Sequence, residues 1–150
     1  MQQTFKLSVE TKPNFTYGRA EKLKSKKLFE KLFDEGKSVS NYPLRLIYTK
    51  ADFKENVPFK TGVTVSKRNF KSAVKRNRIK RLLREAYRLN KSIVFNNSKG
   101  NYALLILYLG KEMPDSKEVH LKMTNLLEKF KKKVTEEFND DQHSKVDLNE

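Results

Sequence analysis

Between Lys71 and Arg88 the chain reads KSAVKRNRIKRLLREAYR, with eight Lys or Arg and a single acid, Glu85. The chemistry open to a segment of this kind is electrostatic, the neutralising of phosphates. On a helix turning ~100° per residue, Ile79, Leu82, Leu83, Ala86 and Tyr87 share one broad face. Asn77, Lys80, Arg81, Arg84 and Arg88 take the opposite face, and Lys75, Arg76 and Arg78 flank both near the start. Like charges recur three or four apart, as at Lys80–Arg84 and Arg84–Arg88, and each such pair costs about 0.2–0.5 kcal/mol in an isolated helix. Burying the apolar face, at roughly 1.5–3 kcal/mol per large side chain, outweighs that repulsion. The helix therefore forms with a crowded cationic face that a phosphate backbone would relax. A plain solvated helix usually alternates its signs. Here the stretch from Lys60 to Lys91 holds twelve basic residues against one acid, which favours polyanion binding. Arg outnumbers Lys five to three between Lys71 and Arg88, which suits planar, bidentate phosphate contacts.

A second constellation is aromatic. Phe29 and Phe33 lie four apart, so they share a helix face, and Lys26, Lys27, Lys31 and Lys37 surround them. Tyr48 lies on a candidate strand, with Tyr42 just before it. Aromatics beside cations form a platform for unpaired bases, worth about 1–3 kcal/mol per base. The same spacing is also a core pattern, and the residues alone favour the core. Catalysis by the polypeptide finds little footing. A nuclease needs clustered carboxylates for metal, or His with a suitable partner. His120 and His143 stand apart without a ligand companion, and Asp34 and Glu35 end a helix where solvated acids are ordinary. Glu35-Gly36-Lys37 fits an acid-x-Lys element, but Pro114-Asp115 follows it in the wrong order. The five Gly form no phosphate-cradling loop.

Positioning these groups falls to a chain of 150 residues, which suits one compact domain. A net charge of +15 attracts nucleic acid, anionic membrane or acidic proteins. With no Cys there is no disulfide, thiolate nucleophile or sulfur-bound zinc. No apolar run approaches the ~20 residues of a membrane helix, and the N-terminus lacks a signal-peptide core, so a cytosolic protein is expected.

Ser25 can cap a helix over KKLFEKLFDE, stopped by Gly36. Alternation at Leu44, Leu46 and Tyr48 predicts a strand that starts near Pro43. FKTGVTVSK predicts the next strand, and YALLILYL, residues 102–109, a buried one. Asp115 or Ser116 caps a last helix with Val119, Leu126, Leu127, Phe130 and Val134 inside. Phe5, Leu7 and Val9 allow a short strand within an N-terminal arm, residues 1–18. From Glu137 onward five acids face one Lys, which reads as a frayed, disordered acidic tail over 137–150. The domain between spans 19–136. This order predicts an α/β or α+β layer structure with about four strands and three helices.

The run AVKRNRIKRLLREAYR, preceded by TGVTVSKR, resembles the signature of the protein subunit of bacterial ribonuclease P. Its central RNR triplet is Arg76, Asn77 and Arg78. The likeness extends upstream to KLFEKLFDEGKSVSN, which resembles the family's first helix and the following strand, and on through YALLILYL into the last helix, over about residues 19–135. The triplet alone is a weak signal; the whole run after a GVTVSK strand is highly specific. The resemblance implies a two-layer sandwich with a mixed sheet and a left-handed crossover. It implies a large catalytic RNA as partner, which hydrolyses precursor tRNA with Mg²⁺ to release the 5′ leader, and a protein with no cofactor of its own. Contacts to that RNA are implied at Lys67, Arg68, Lys71, Lys75, Arg76, Asn77, Arg78, Lys80, Arg81, Arg84 and Arg88. A leader cleft between the first helix and the sheet is implied, with Phe29, Phe33, Lys37 and Tyr48 as its candidates. Ungapped placement puts Ile47 where the family often carries a cleft aromatic, and neighbouring strand residues point to opposite faces. The alternative is a ribosomal or DNA-binding protein that uses the same basic helix, for example in a major groove.

Overall fold

In the computed structural model, residues 15–95 and 100–148 are described; the expected strand around Phe5, Leu7 and Val9 lies outside them. Helix α1 (Lys26–Glu35) starts at Ser25, whose Oγ accepts from the Leu28 N–H at 3.4 Å. It ends at Gly36, whose N–H reaches the Leu32 carbonyl at 3.0 Å. A Cβ at Gly36 would lie 2.2 Å from that oxygen and 2.6 Å from Ile47 Cγ2, so the close approach of α1 to the sheet requires glycine there. The chain turns directly into β1 (Lys37–Asn41) and, through a cis Tyr42–Pro43 bond, into β2 (Leu44–Lys50). Next come β3 (Phe59–Val65), the basic helix α2 (Ala73–Asn90), a short α3 (Ser92–Phe95), β4 (Tyr102–Tyr108) and α4 (Ser116–Leu148). The sheet order is β1-β2-β4-β3. β1, β2 and β4 pair antiparallel, while β3 runs parallel to β4. Adjacent parallel strands need a crossover, and α2 supplies it.

The register sorts side chains onto two faces. Leu44, Leu46 and Tyr48 of β2, Phe59 and Val65 of β3, and Tyr102, Leu104, Ile106 and Tyr108 of β4 share one face. Against it pack Ile79, Leu83, Ala86 and Tyr87 of α2, and Val119, Met123, Leu126, Leu127, Phe130 and Val134 of α4. On the other face Ile47, Ala103 and Leu105 meet Leu23 and Leu32, with Leu28 and Phe29 half-buried beside them. The main core is thus the anticipated sandwich, and α1 adds a partial layer behind it.

KSVSN forms the strand that the likeness implies after the first helix, and the Tyr42–Pro43 turn folds it back on β2. One feature differs from the sequence reading. The acidic tail is not frayed at Glu137; α4 continues to Leu148. Glu137 Oε1 accepts from the Tyr48 hydroxyl at 2.9 Å and pairs with Lys37 at 3.2 Å, and Asp141 pairs with Lys50 at 3.6 Å. The acids have local lysine partners, which composition alone does not reveal.

A buried ion pair fastens the segment before α1 to the end of α2. Lys91 is fully buried, and its Nζ lies 2.5 Å from Glu21 Oε1 and 4.6 Å from the Phe95 ring centroid. Beside it the Tyr17 hydroxyl donates to the Thr61 carbonyl, and burial pushes its phenol up to about 12. Removing one partner of such a pair strands a buried charge at a cost of about 3–5 kcal/mol. Glu21→Ala is expected to lower the unfolding free energy in urea by that amount. Replacing both residues with apolar ones of similar volume should recover most of the loss.

Candidate nucleic-acid interface

Helix α2 is set by its cap and its buried stripe. Ser72 Oγ accepts from the Lys75 N–H at 3.3 Å. Ile79, Leu83, Ala86 and Tyr87 have no exposed surface, which fixes the rotation of the helix about its axis. Lys75, Asn77, Arg78, Arg81 and Arg84 are consequently exposed, and Lys80 is half-buried. Lys67, Arg68 and Lys71 are exposed on the loop between β3 and α2. Among the described residues, no carboxylate forms an ion pair with any of these cations. They stand together as a ridge.

Two members of the predicted set have internal duties. Arg76 is half-buried, and its Nη1 donates to the Phe70 and Lys71 carbonyls at 2.8 and 2.9 Å. It braces the loop that leads into the helix. Arg88 forms a two-pronged pair with Glu85, at 2.5 and 3.1 Å, and donates to the Phe15 carbonyl at 2.9 Å. That hydrogen-bonded pair holds the Glu85 carboxyl below its ordinary range and raises the Arg88 guanidinium. The segment's one acid is therefore engaged at the C-terminal end, and the rest of the ridge is uncompensated.

α1 covers only part of the second sheet face, and the strip beyond it is the candidate groove. Ile47 stands opposite Leu105; one step along, Arg45 is opposite Leu107, and Leu107 opposite Thr64. Leu107 and Thr64 are half-buried and Arg45 is exposed. From α1, Phe29 packs against this cluster, whereas Phe33 is 64% exposed. The pair thus divides, one ring seated and the other open. The β3–α2 loop, with Lys67 and Arg68, connects the Thr64 end of the groove to the ridge.

Two predicted groove residues lie elsewhere. Tyr48 faces the opposite way, 1% exposed, with ring centroids 5.0 Å from Phe130 and 6.1 Å from Tyr102. Burial, then its bond to Glu137, raises its phenol pKa. Strand parity gives the groove position to Ile47. Lys37 is registered opposite Tyr48 and paired with Glu137, which directs it toward α4. The cation that shares the groove face is Arg45, which the sequence reading passed over. Its parity with Ile47 was the available signal.

Among the described residues no group of three or more His, Asp or Glu is placed to hold a metal ion, and no helix is long and apolar enough to cross a membrane. His120 Nδ1 lies 3.5 Å from Asn90 Nδ2, inside the α2–α4 packing.

A mixed four-stranded sheet and a crossover helix whose exposed cations have no carboxylate partners among the described residues define a basic α+β protein. The Ribonuclease P family model matches residues 17–131, and the chain belongs to that family. The ribonuclease P protein component of Porphyromonas gingivalis is 36% identical over 118 residues, covering 77% of this chain and 86% of that protein. A counterpart from Clostridium botulinum is 37% identical over 108 residues, with 72% and 92% covered. The solved RNase P protein from Thermotoga maritima superposes with a TM-score of 0.59 at 26% identity, over 73% of this chain and 96% of that one.

The two roles on α2 separate by stability. Arg76→Ala should lower the unfolding free energy by about 1–3 kcal/mol, because charged hydrogen bonds are lost. Arg81→Ala should stay within about 0.5 kcal/mol of wild type, as exposed substitutions do. Urea unfolding of both variants makes the comparison.

Proposed function

We propose that this chain is the protein subunit of ribonuclease P, which binds the catalytic RNA along the α2 ridge and the 5′ leader of precursor tRNA in the groove beside α1. In doing so it promotes endonucleolytic removal of the leader, the step that matures the 5′ end of tRNA in the cytoplasm. The observation that carries this reading is the row of exposed cations from Lys67 to Arg84 with no carboxylate partner among the described residues. Family membership takes the place of the ribosomal and DNA-binding alternatives.

Lys67, Arg68, Lys71, Lys75, Arg78, Lys80, Arg81 and Arg84 meet phosphates of the catalytic RNA, and Asn77 adds neutral hydrogen-bonding groups among them. Arg76 and Arg88 reach the same face while holding the loop and the helix end in place. In the groove Phe33 offers an open ring to an unpaired base, Phe29 backs it, Ile47 and Leu107 form an apolar floor, and Arg45 supplies a cation. Hydrolysis belongs to the RNA. The Mg²⁺ it uses does not fit any cluster of described protein residues, and no step is assigned to metal held by the polypeptide. The protein acts on affinity: it offsets the repulsion between two polyanions, catalytic RNA and substrate.

Purified protein alone should leave precursor tRNA intact, and adding the cognate catalytic RNA should give a 5′ cut at low Mg²⁺. Cleavage by RNA-free protein would reject the assignment. Arg81→Ala should weaken binding to the catalytic RNA and reduce the log–log salt slope by about 0.7–0.9 for the one lost phosphate contact.

Phe33→Ala should raise Kd about five-fold or more for tRNA that carries a leader, the loss expected for one base stack. Leaderless tRNA should bind as before. Equal weakening of both substrates counts against the groove.

A further inference from the structure

The loop after β4 sits at the foot of the ridge with an organisation that the ridge and the groove leave unused. Two hollows, of about 470 and 310 Å³, lie on either side of Lys111, Glu112 and Met113. The first is lined by Lys71, Lys75 and Lys111, with Glu112 as its one acid. The second is lined by Tyr42, Pro43 and Tyr108, and carries Glu112 and Glu118 against Lys111, which both hollows share. Tyr42 is 67% exposed at the tip of the β1–β2 turn.

Hydrogen bonds pin the backbone of this loop. Asn69 Nδ2 donates to the Leu109 and Gly110 carbonyls at 3.5 and 3.4 Å, and the Tyr108 hydroxyl donates to the Glu112 carbonyl at 2.6 Å. The Leu109 N–H reaches the Pro43 carbonyl at 2.7 Å, so the turn that carries Tyr42 is fixed to the same loop. Among the described residues none of the three lysines has an ion-pair partner.

We propose that this loop forms an additional contact for the catalytic RNA that takes one unpaired nucleotide, its phosphate among Lys71, Lys75 and Lys111 and its base against Tyr42. Charge sets the orientation. The lysine hollow sets three lysines against one carboxylate, and the tyrosine hollow sets two carboxylates against one lysine, a balance that favours phosphate in the first and a neutral base in the second. The base must be unpaired, because a base inside a duplex has both faces covered by its neighbours. The backbone that carries Tyr42 and Lys111 is pinned before binding, so the ordering cost falls on side chains alone. The proposal rests on the ridge being the site for the catalytic RNA.

The test uses the full chain and the catalytic RNA without precursor tRNA. Titrations over a range of salt compare wild type, Lys111→Ala, Tyr42→Ala and Tyr42→Phe, with Arg81→Ala as reference. Both positions are exposed, and matching urea midpoints verify that the variants fold. Lys111→Ala should reduce the salt slope by about 0.7–0.9. Tyr42→Ala should raise Kd about five-fold or more at unchanged slope, and Tyr42→Phe should bind like wild type, because the ring alone stacks. Wild-type binding by Lys111→Ala and Tyr42→Ala, with Arg81→Ala weakened, overturns this site and leaves the ridge standing. Wild-type binding by Arg81→Ala as well removes the ridge and this site together. Weakening of Tyr42→Ala that appears only when precursor tRNA is added overturns the choice of occupant and assigns the nucleotide to the substrate.

Discussion

The burial of one stripe on α2 governs the rest. Ile79, Leu83, Ala86 and Tyr87 are wholly enclosed by the sheet and α4. Four such side chains contribute several kcal/mol, more than the mutual repulsion of cations spaced along the helix. The same burial determines orientation. A helix free to roll would spread its charges around the axis, whereas one locked by four core residues must present Lys75, Arg78, Arg81 and Arg84 to solvent. The conflict between apolar cohesion and charge repulsion is resolved in favour of a fold that keeps its cations concentrated. A polyanion then gains binding free energy where the protein alone has only repulsion.

The ridge was legible in the sequence because its determinants are local. The period of Ile79, Leu83 and Tyr87 and the cap at Ser72 lie within one segment, and so does the scarcity of acids. The groove was legible only in part. Spacing brought Phe29 and Phe33 to one face of α1, yet the seating of Phe29 and the exposure of Phe33 depend on where α1 crosses the sheet. That crossing is set by Gly36 against Ile47 and by the Leu23 N–H on the Thr61 carbonyl, at 3.1 Å. Tyr48 and Lys37 were misplaced for a related reason. In a strand the neighbour of a groove residue is a core residue, and the identity of a side chain does not reveal its parity.

Charged residues far apart in the chain were the least legible. Glu21 and Lys91 would each pass for a surface residue, and only their meeting across seventy positions makes a buried pair. The contacts of Glu137 and Asp141 with Lys37 and Lys50 span similar distances. Composition marks acids after residue 136 as solvated and frayed. Tertiary placement puts lysines opposite them, and the helix continues.

The extended α4 has an electrostatic result at long range. Its carboxylates gather beside Lys50 and Tyr102, at the end of the strands opposite to the one from which the β3–α2 loop leaves, about 20 Å away over seven residues of strand. Uncompensated cations crowd one pole of the molecule, whereas at the other carboxylates offset the lysines beside them. In the field of an approaching nucleic acid such a particle experiences a torque, so rotational alignment precedes contact and fewer encounters are wasted on the wrong side.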